Sequence, residues 1–123
     1  WSNNDCLNFV WQLFTEGIAM CFEQMLVNNP NYYHQNRDGW LEWCDEHCKQ
    51  ILADFHADLP VLTKSTQNYF GDWVSYHGRG DVGYYLGAKF VQKLRDKYSF
   101  EQLIKMSIDD IYQEYLMFVE SKL

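Results

Sequence analysis

The apolar pattern in the first thirty residues differs from that in the rest of the chain. Apolar side chains between Cys6 and Val27, placed at 100° per residue, cover nearly the whole circumference of a helix. A helix with this pattern is normally buried in the middle of its domain. One polar stripe interrupts it at helical spacings of three and four, and consists of Asn8, Gln12, Glu16 and Glu23, with Thr15 at its edge. The pattern therefore predicts a central helix from about residue 5 to 28 that carries a single polar line.

The later helices are predicted by narrower apolar faces and by capping residues. Amphipathic patterns predict helices over about 39–57, 81–97 and 108–121, and a short helix between about 60 and 70. Ser99-Phe100-Glu101-Gln102 has the form of a capping box and starts a further short helix, while Ser107 can cap the last one. The chain contains no convincing period-two run. We therefore expect an all-α fold, a compact array of about five to six helices around the central hydrophobic helix, in a single domain covering residues 1–123.

The polar stripe places Glu16 in the middle of the most apolar helix. A carboxylate there is solvated, paired or bound to a metal, because an isolated buried charge is too costly. Gly17 follows directly, and glycine inside a helix costs about 1 kcal/mol relative to alanine. This glycine predicts a close approach by another element, so we expect Glu16 to face a concave, partly polar site.

Charge and hydropathy exclude two classes of partner. The chain has ten Lys and Arg against seventeen Asp and Glu, a formal net charge of −7. Nucleic acids and anionic membranes select clustered positive charge, so neither is an expected partner. Glu16 and Gly17 interrupt the only candidate for a membrane-spanning helix.

The four cysteines favour a reducing compartment and therefore a cytoplasmic location. Cys6 and Cys21 are about 22 Å apart on the first predicted helix, too far to form a disulfide with each other. Cys44 and Cys48 flank His47 and could suggest zinc, but structural zinc sites need a second ligand pair, and none is evident. Both of these cysteines fall on the apolar face, so buried reduced thiols are the expected state.

The segment from Tyr76 to Gly87 joins a glycine-rich loop to the start of a helix. His77 lies in the loop, and Tyr84 and Tyr85 lie in the first turns of the helix. Side chains of these types can donate hydrogen bonds to a developing oxyanion. The alternative is a glycine-rich turn followed by a tightly packed helix, because Gly83 and Gly87 are four residues apart and leave one face bare.

Two motifs together resemble a known family. The pattern Trp11-x-x-x-x-Glu16-Gly17-x-Ala19, followed by Gly83-Tyr84-Tyr85-Leu86-Gly87-x-x-x-Val91, resembles the C-terminal half of gluzincin-type zinc peptidases. The resemblance is greatest to poorly characterised bacterial predicted zinc-dependent proteases of that clan. It implies that Glu16 is the third zinc ligand. It also implies that His77, Tyr84 and Tyr85 are catalytic candidates on the oxyanion side, with a peptide or protein as substrate.

The sequence departs from that family in one respect. The family's His-Glu-x-x-His helix, which supplies the first two zinc ligands and the catalytic base, is absent. A chain that begins just after this helix explains both the gap and the absence of an initial Met, whereas a degenerate relative explains only the gap. We therefore expect the C-terminal portion of a putative zinc-dependent metallopeptidase, with zinc bound in the intact protein and none in this chain alone. The alternatives are a non-catalytic helical module that binds a protein or peptide, and a subunit whose apolar face forms a homo-oligomer.

Overall fold

The computed structural model describes residues 4–123, and describes side chains from residue 6 onward. Within these residues it contains six α-helices, one 3-10 turn and no strand. The helices are α1 (Asn4–Leu26), α2 (Trp40–Glu46), α3 (Cys48–Asp58), α4 (Val82–Leu94), α5 (Phe100–Leu103) and α6 (Ile108–Lys122), and the 3-10 turn (Leu59–Val61) follows α3. The predicted all-α class is confirmed.

The packing of α1 is less uniform than its apolar circumference suggests. Its buried face packs on α4 and α6. That face consists of Phe9, Val10, Leu13, Phe14, Gly17, Met20 and Cys21. The last turn lies outside, where Phe22 and Leu26 are 56% and 72% exposed. No helix within residues 4–123 is both long enough and apolar enough to span a membrane.

Both predicted serine caps are present. The Ser99 hydroxyl accepts the Gln102 N–H at 3.1 Å, and the Gln102 side chain accepts the Ser99 N–H at 2.8 Å. Ser107 accepts the N–H of Asp110 at 3.2 Å. These bonds satisfy N–H groups that have no partner within their own helix, which is why the two helices begin at these serines.

The predicted helix over residues 39–57 is two helices with a break at His47. The His47 N–H bonds to the carbonyl of Trp43 at 3.0 Å, and its ring nitrogen Nδ1 lies 2.7 Å from the same oxygen. The imidazole also stacks on the Trp43 indole, with the ring centroids 4.2 Å apart. A side chain that bonds to the carbonyl four residues back competes with the regular helix, and here the backbone leaves helical geometry at His47.

The predicted short helix between residues 60 and 70 is wrong. Only the 3-10 turn Leu59–Val61 is helical there. The hydroxyls of Thr63 and Thr66 each accept the other residue's N–H, at 3.2 and 3.1 Å. Gln67 then accepts the N–H groups of Tyr69 and Phe70 at 2.9 and 2.8 Å and donates to the Phe70 carbonyl at 2.8 Å. Side chains thus supply the hydrogen bonds that a helix would have supplied, and they fix a compact non-helical segment.

Two glycines form the crossing of α1 and α4. A Cβ on Gly17 would lie 2.2 Å from the Gly87 carbonyl oxygen and 2.7 Å from Cγ2 of Val91. A Cβ on Gly87 would lie 2.5 Å from the Leu13 carbonyl oxygen. The two backbones therefore touch, as the bare glycines predict, and no side chain fits between them.

A third close contact attaches the chain before α4 to the first turn of α4. The N–H of Gly83 donates to the Tyr69 carbonyl at 2.6 Å. A Cβ on Gly83 would come within 2.6 Å of the Phe70 ring. The segment fixed by Gln67 is therefore held directly against α4.

Candidate functional site

Glu16 lies at the crossing of α1 and α4, one residue before the glycine contact. Its side chain is partly buried, and burial raises its pKa above the usual value for a glutamate. Within the described part of the chain its carboxylate makes no hydrogen bond or ion pair. A carboxylate that is partly withdrawn from water and lacks a partner is unfavourable, so this position suits a group that supplies the missing interaction.

Tyr84 is the sequence-predicted residue whose pKa responds to the charge of Glu16. Burial raises the pKa of Tyr84, and the negative charges of Glu16 and Asp81 raise it further. The Phe70 ring contacts the Tyr84 ring edge to face at 5.6 Å and fixes its orientation.

A groove of about 260 Å³ opens beside Tyr84. Its lining consists of Phe9, Gln12, Lys64, Gln67, Phe70, Trp73 and Tyr84. Gln12 precedes Glu16 by one helical turn in the polar stripe, and Tyr84 is shared between the groove and the surroundings of Glu16. Glu16 itself is not among the residues that line the groove.

His77 and Tyr85 make their contacts elsewhere. His77 is exposed, its Nε2 lies 3.4 Å from Nε2 of Gln50 on α3, and its ring packs against Tyr76. Tyr85 is only 1% exposed, and its hydroxyl donates to Oδ1 of Asp45 at 2.6 Å. Burial and the bond to Asp45 raise the pKa of Tyr85 strongly. This bond gives Tyr85 a structural role between α4 and α2, which the sequence did not predict.

Asp81 and Trp73 are the residues near this site that the sequence analysis missed. Asp81 accepts the Gly71 N–H at 3.0 Å, and its own N–H donates to the Gly71 carbonyl at 3.1 Å. This reciprocal pair closes the loop onto the N-terminus of α4. The Asp81 side chain makes no capping bond to α4, so an Asp at a helix start did not signal its bond to Gly71. The flanking glycines place Trp73 in a loop, but nothing in the sequence indicates that its ring is exposed.

The candidate zinc ligands do not form a metal site on their own. The described residues contain no group of three or more His, Cys, Asp and Glu side chains arranged to hold an ion. Cys44 is fully buried and Cys48 partly so, and both are free thiols, while His47 is engaged with Trp43. Burial raises the pKa of Cys44 to about 12, which disfavours the thiolate that zinc requires. In a catalytic zinc site with three protein ligands, Glu16 can supply one.

Comparison with known proteins found no relative of the chain. No protein-family model, no curated protein and no solved structure matches the chain.

Proposed function

We propose that this chain is the C-terminal helical portion of a zinc-dependent metallopeptidase, with Glu16 as one zinc ligand. The observation that supports the proposal is a partly buried carboxylate, Glu16, whose charge raises the pKa of Tyr84, a residue that lines a groove. Glu16 is partly buried and has no hydrogen-bond or ion-pair partner in the described chain, and Tyr84 lies within range of its charge. A carboxylate next to a phenol is a combination that can bind a metal ion and stabilise a developing oxyanion.

The contact between the two resembling motifs supports the same proposal. Gly17 follows the ligand candidate, and Gly87 and Val91 end the second motif. These three residues are in contact at the crossing of α1 and α4. Because the backbones touch there, the backbone at Glu16 and at Tyr84, three residues before Gly87, is held in place, which is what a preorganised site would require.

Each residue has a defined part in this proposal. Glu16 would contribute one ligand, and the remaining ligands and the catalytic base belong to a part of the protein outside this chain. A bound zinc ion would polarise a peptide carbonyl and lower the pKa of its water. Tyr84 would donate its hydroxyl proton in a hydrogen bond to the carbonyl oxygen as negative charge develops. The free thiols fit the reducing compartment expected for a cytoplasmic enzyme.

The test begins with the intact protein from which the chain derives. We expect a His-Glu-x-x-His sequence upstream of Trp1, about one zinc per molecule by elemental analysis, and peptide hydrolysis that a chelator abolishes and added zinc restores. An intact protein without zinc and without hydrolytic activity would overturn the proposal and favour the non-catalytic helical module.

The 123-residue chain alone is expected to bind no stoichiometric zinc and to hydrolyse no peptide. One carboxylate does not complete a tetrahedral site. Elemental analysis of the dialysed chain checks this. One tightly held zinc per chain would contradict it, and would direct attention to the cluster of Cys44, His47 and Cys48.

Substituting the two neighbouring tyrosines should separate catalysis from stability. In the intact protein, Tyr84→Phe should lower kcat about 10²-fold, the scale of one lost oxyanion donor, and leave the melting temperature nearly unchanged. Tyr85→Phe removes the hydroxyl that bonds to Asp45, so it should lower the free energy of unfolding by about 1–2 kcal/mol and leave kcat nearly unchanged. The opposite assignment of the two effects would exclude Tyr84 as the oxyanion donor.

A further inference from the structure

A second cavity, of about 240 Å³, lies between the segment that leads into α2 and the loop before α4. Its lining includes two arginines and three aspartates, which are Arg37, Arg79, Asp38, Asp72 and Asp81. We call it the loop cavity. It shares no lining residue with the groove beside Tyr84, so it is separate from the proposed peptidase site.

The walls of the loop cavity are held together by hydrogen bonds between its two segments. The indole N–H of Trp40 donates to the Gly80 carbonyl at 2.8 Å, and Trp40 is only 4% exposed. Nη1 of Arg79 donates to the Asp38 carbonyl at 2.9 Å. A cavity whose walls are already joined loses little conformational entropy when a ligand binds, which favours binding of a small molecule.

The charged side chains of the loop cavity are not paired with one another. The four ion pairs among the described residues all lie elsewhere. Within the same part of the chain, the guanidinium of Arg37 and the carboxylates of Asp38 and Asp72 make no hydrogen bond. Charges of both signs therefore line one small cavity and are available to a ligand.

Gln35 adds a buried acceptor that lacks a partner. Its side chain lines the loop cavity and is 8% exposed. The amide Nε2 of Gln35 lies 3.5 Å from Sδ of Met20 in the core, whereas Oε1 is buried and accepts no hydrogen bond from the described residues. A buried acceptor without a donor is unfavourable, so a ligand with an N–H group would relieve a cost that the free protein bears.

This mixture of groups restricts the chemistry of the ligand. The described residues contain no group of three His, Cys, Asp or Glu side chains that could hold a metal ion, and two guanidinium groups would repel a cation. A polyanion would meet three carboxylates, which disfavours phosphate compounds. A small zwitterion compensates charges of both signs, because its ammonium group can face carboxylates while its carboxylate faces a guanidinium.

We propose that the loop cavity binds a free α-amino acid, with the ammonium group at Asp72 and Oε1 of Gln35 and the carboxylate at Arg37. The volume of about 240 Å³ lies below the roughly 300–1,000 Å³ of pockets for larger ligands, so the cavity suits a molecule of this size. The inference goes beyond the proposed peptidase function and does not depend on it.

The first experiment titrates the 15N-labelled 123-residue chain with L-alanine, whose small side chain leaves recognition to its two charged groups. The indole N–H signal of Trp40 and the amide signals of Gly78 and Gly80 should shift, with a Kd on the order of 1 mM. N-acetyl-L-alanine lacks the ammonium group and L-alaninamide lacks the carboxylate, so each should bind at least about tenfold more weakly. Calcium chloride and sodium phosphate should leave these signals in place. No response to L-alanine, equal binding of the three organic probes, or a response to either salt would overturn the proposal.

A second experiment assigns the two charged groups to their partners. Arg37→Gln should reduce the preference for L-alanine over L-alaninamide to below about threefold, and Asp72→Asn should do the same for the preference over N-acetyl-L-alanine. Both side chains are exposed and make no hydrogen bond within the described chain, so both variants should fold with unchanged melting temperatures. Arg95→Gln and Asp109→Asn make the same changes at exposed positions outside the cavity and should alter neither preference. Equal losses in the variants and their controls, or preferences retained in Arg37→Gln and Asp72→Asn, would reject the loop cavity as the binding site.

Discussion

Gly87→Leu is expected to lower the free energy of unfolding by about 3 kcal/mol, at the upper end of the range for overpacked cores. The added side chain would begin 2.5 Å from the Leu13 carbonyl oxygen and 3.1 Å from the Gly17 nitrogen. Both obstacles are backbone atoms of α1, which cannot move aside as the end of a flexible side chain can. The helices would have to separate, and the loss of packing at the crossing would add to the cost.

Alanine at the same crossing gives a sharper test, because helix propensity and steric contact change the free energy of unfolding in opposite directions. Helix propensity predicts that Gly17→Ala and Gly87→Ala each stabilise the chain by about 1 kcal/mol. The contact geometry predicts the reverse, since a Cβ at either position would lie within 2.5 Å of a backbone oxygen. We expect both variants to destabilise the chain, as measured by denaturant midpoint and melting temperature.

Two glycines in the loop before α4 provide the controls. Gly80→Ala places a Cβ at ordinary contact distance, 3.4 Å from the nearest atoms, and should be nearly neutral. Gly78→Leu meets open space but requires φ of +83°, which costs about 1–2 kcal/mol for a residue with a side chain. It should therefore destabilise less than Gly87→Leu. Equal melting shifts for these two leucine variants would contradict the packing of α4 described here.

Glu16→Gln is expected to abolish zinc-dependent activity without weakening the fold. In the intact protein, loss of the proposed ligand should weaken zinc binding by at least about 100-fold, since changes to the outer shell of metal sites already cost 10–100-fold. In zinc-free protein the melting temperature should not fall, and should rise slightly, because the substitution removes a partly buried charge that has no partner in the described chain. Zinc titration and thermal unfolding in the presence of a chelator measure the two effects.

Glu23→Gln is the matched control for that variant. Glu23 lies two turns further along the same polar stripe of α1, and its Oε2 is 3.0 Å from Nδ1 of His34. The substitution is chemically identical but alters a surface contact with His34, and such contacts are typically worth less than about 1 kcal/mol. Zinc affinity should be unchanged. If both variants lose zinc equally, Glu16 is not a specific ligand.

The sequence could predict those parts of the fold that depend on local periodicity and on capping. The boundaries of α5 and α6 follow from Ser99 and Ser107, each of which bonds to a backbone N–H that the sequence spacing identifies. The close contact at Gly17 was also predictable, because glycine in a helix interior is costly unless something approaches it. The sequence did not identify Gly87 as the residue that contacts Gly17. It indicated only that the helix with Gly83 and Gly87 could pack closely against another element.

The errors arose where side chains replaced backbone hydrogen bonds. The polar side chains of Thr63, Thr66 and Gln67 can bond within a helix or instead of one, and the choice depends on the neighbouring segment. Gln67 holds Tyr69 and Phe70 against Gly83, a contact over a distance in sequence that no local pattern encodes. The break at His47 has the same origin, since its ring bonds to the Trp43 carbonyl.

The candidate site was predictable in its composition but not in its arrangement. Glu16 and Tyr84 could be chosen from residue type and from family resemblance, and the charge of Glu16 does raise the pKa of Tyr84. Tyr85 is equivalent in sequence, but successive residues on a helix point about 100° apart, so it enters the core and binds Asp45. The exposure of Trp73 depends on the conformation of Gly71, which sequence alone does not fix.

The contact between Gly17 and Gly87 also determines where insertions in the chain can be tolerated. Extra residues between Thr63 and Gln67, or around Gly78, would lengthen exposed turns and leave α1 and α4 in place. A single residue inserted between Tyr84 and Gly87 would rotate Tyr84 by about 100° and shift it by about 1.5 Å along the helix axis, because the glycine contact fixes the rest of α4. Tyr84 would then turn away from Glu16, and Gly83 would leave its place against the Tyr69 carbonyl. The number of residues from Tyr84 to Gly87 is thus constrained, whichever residues occupy the positions between them.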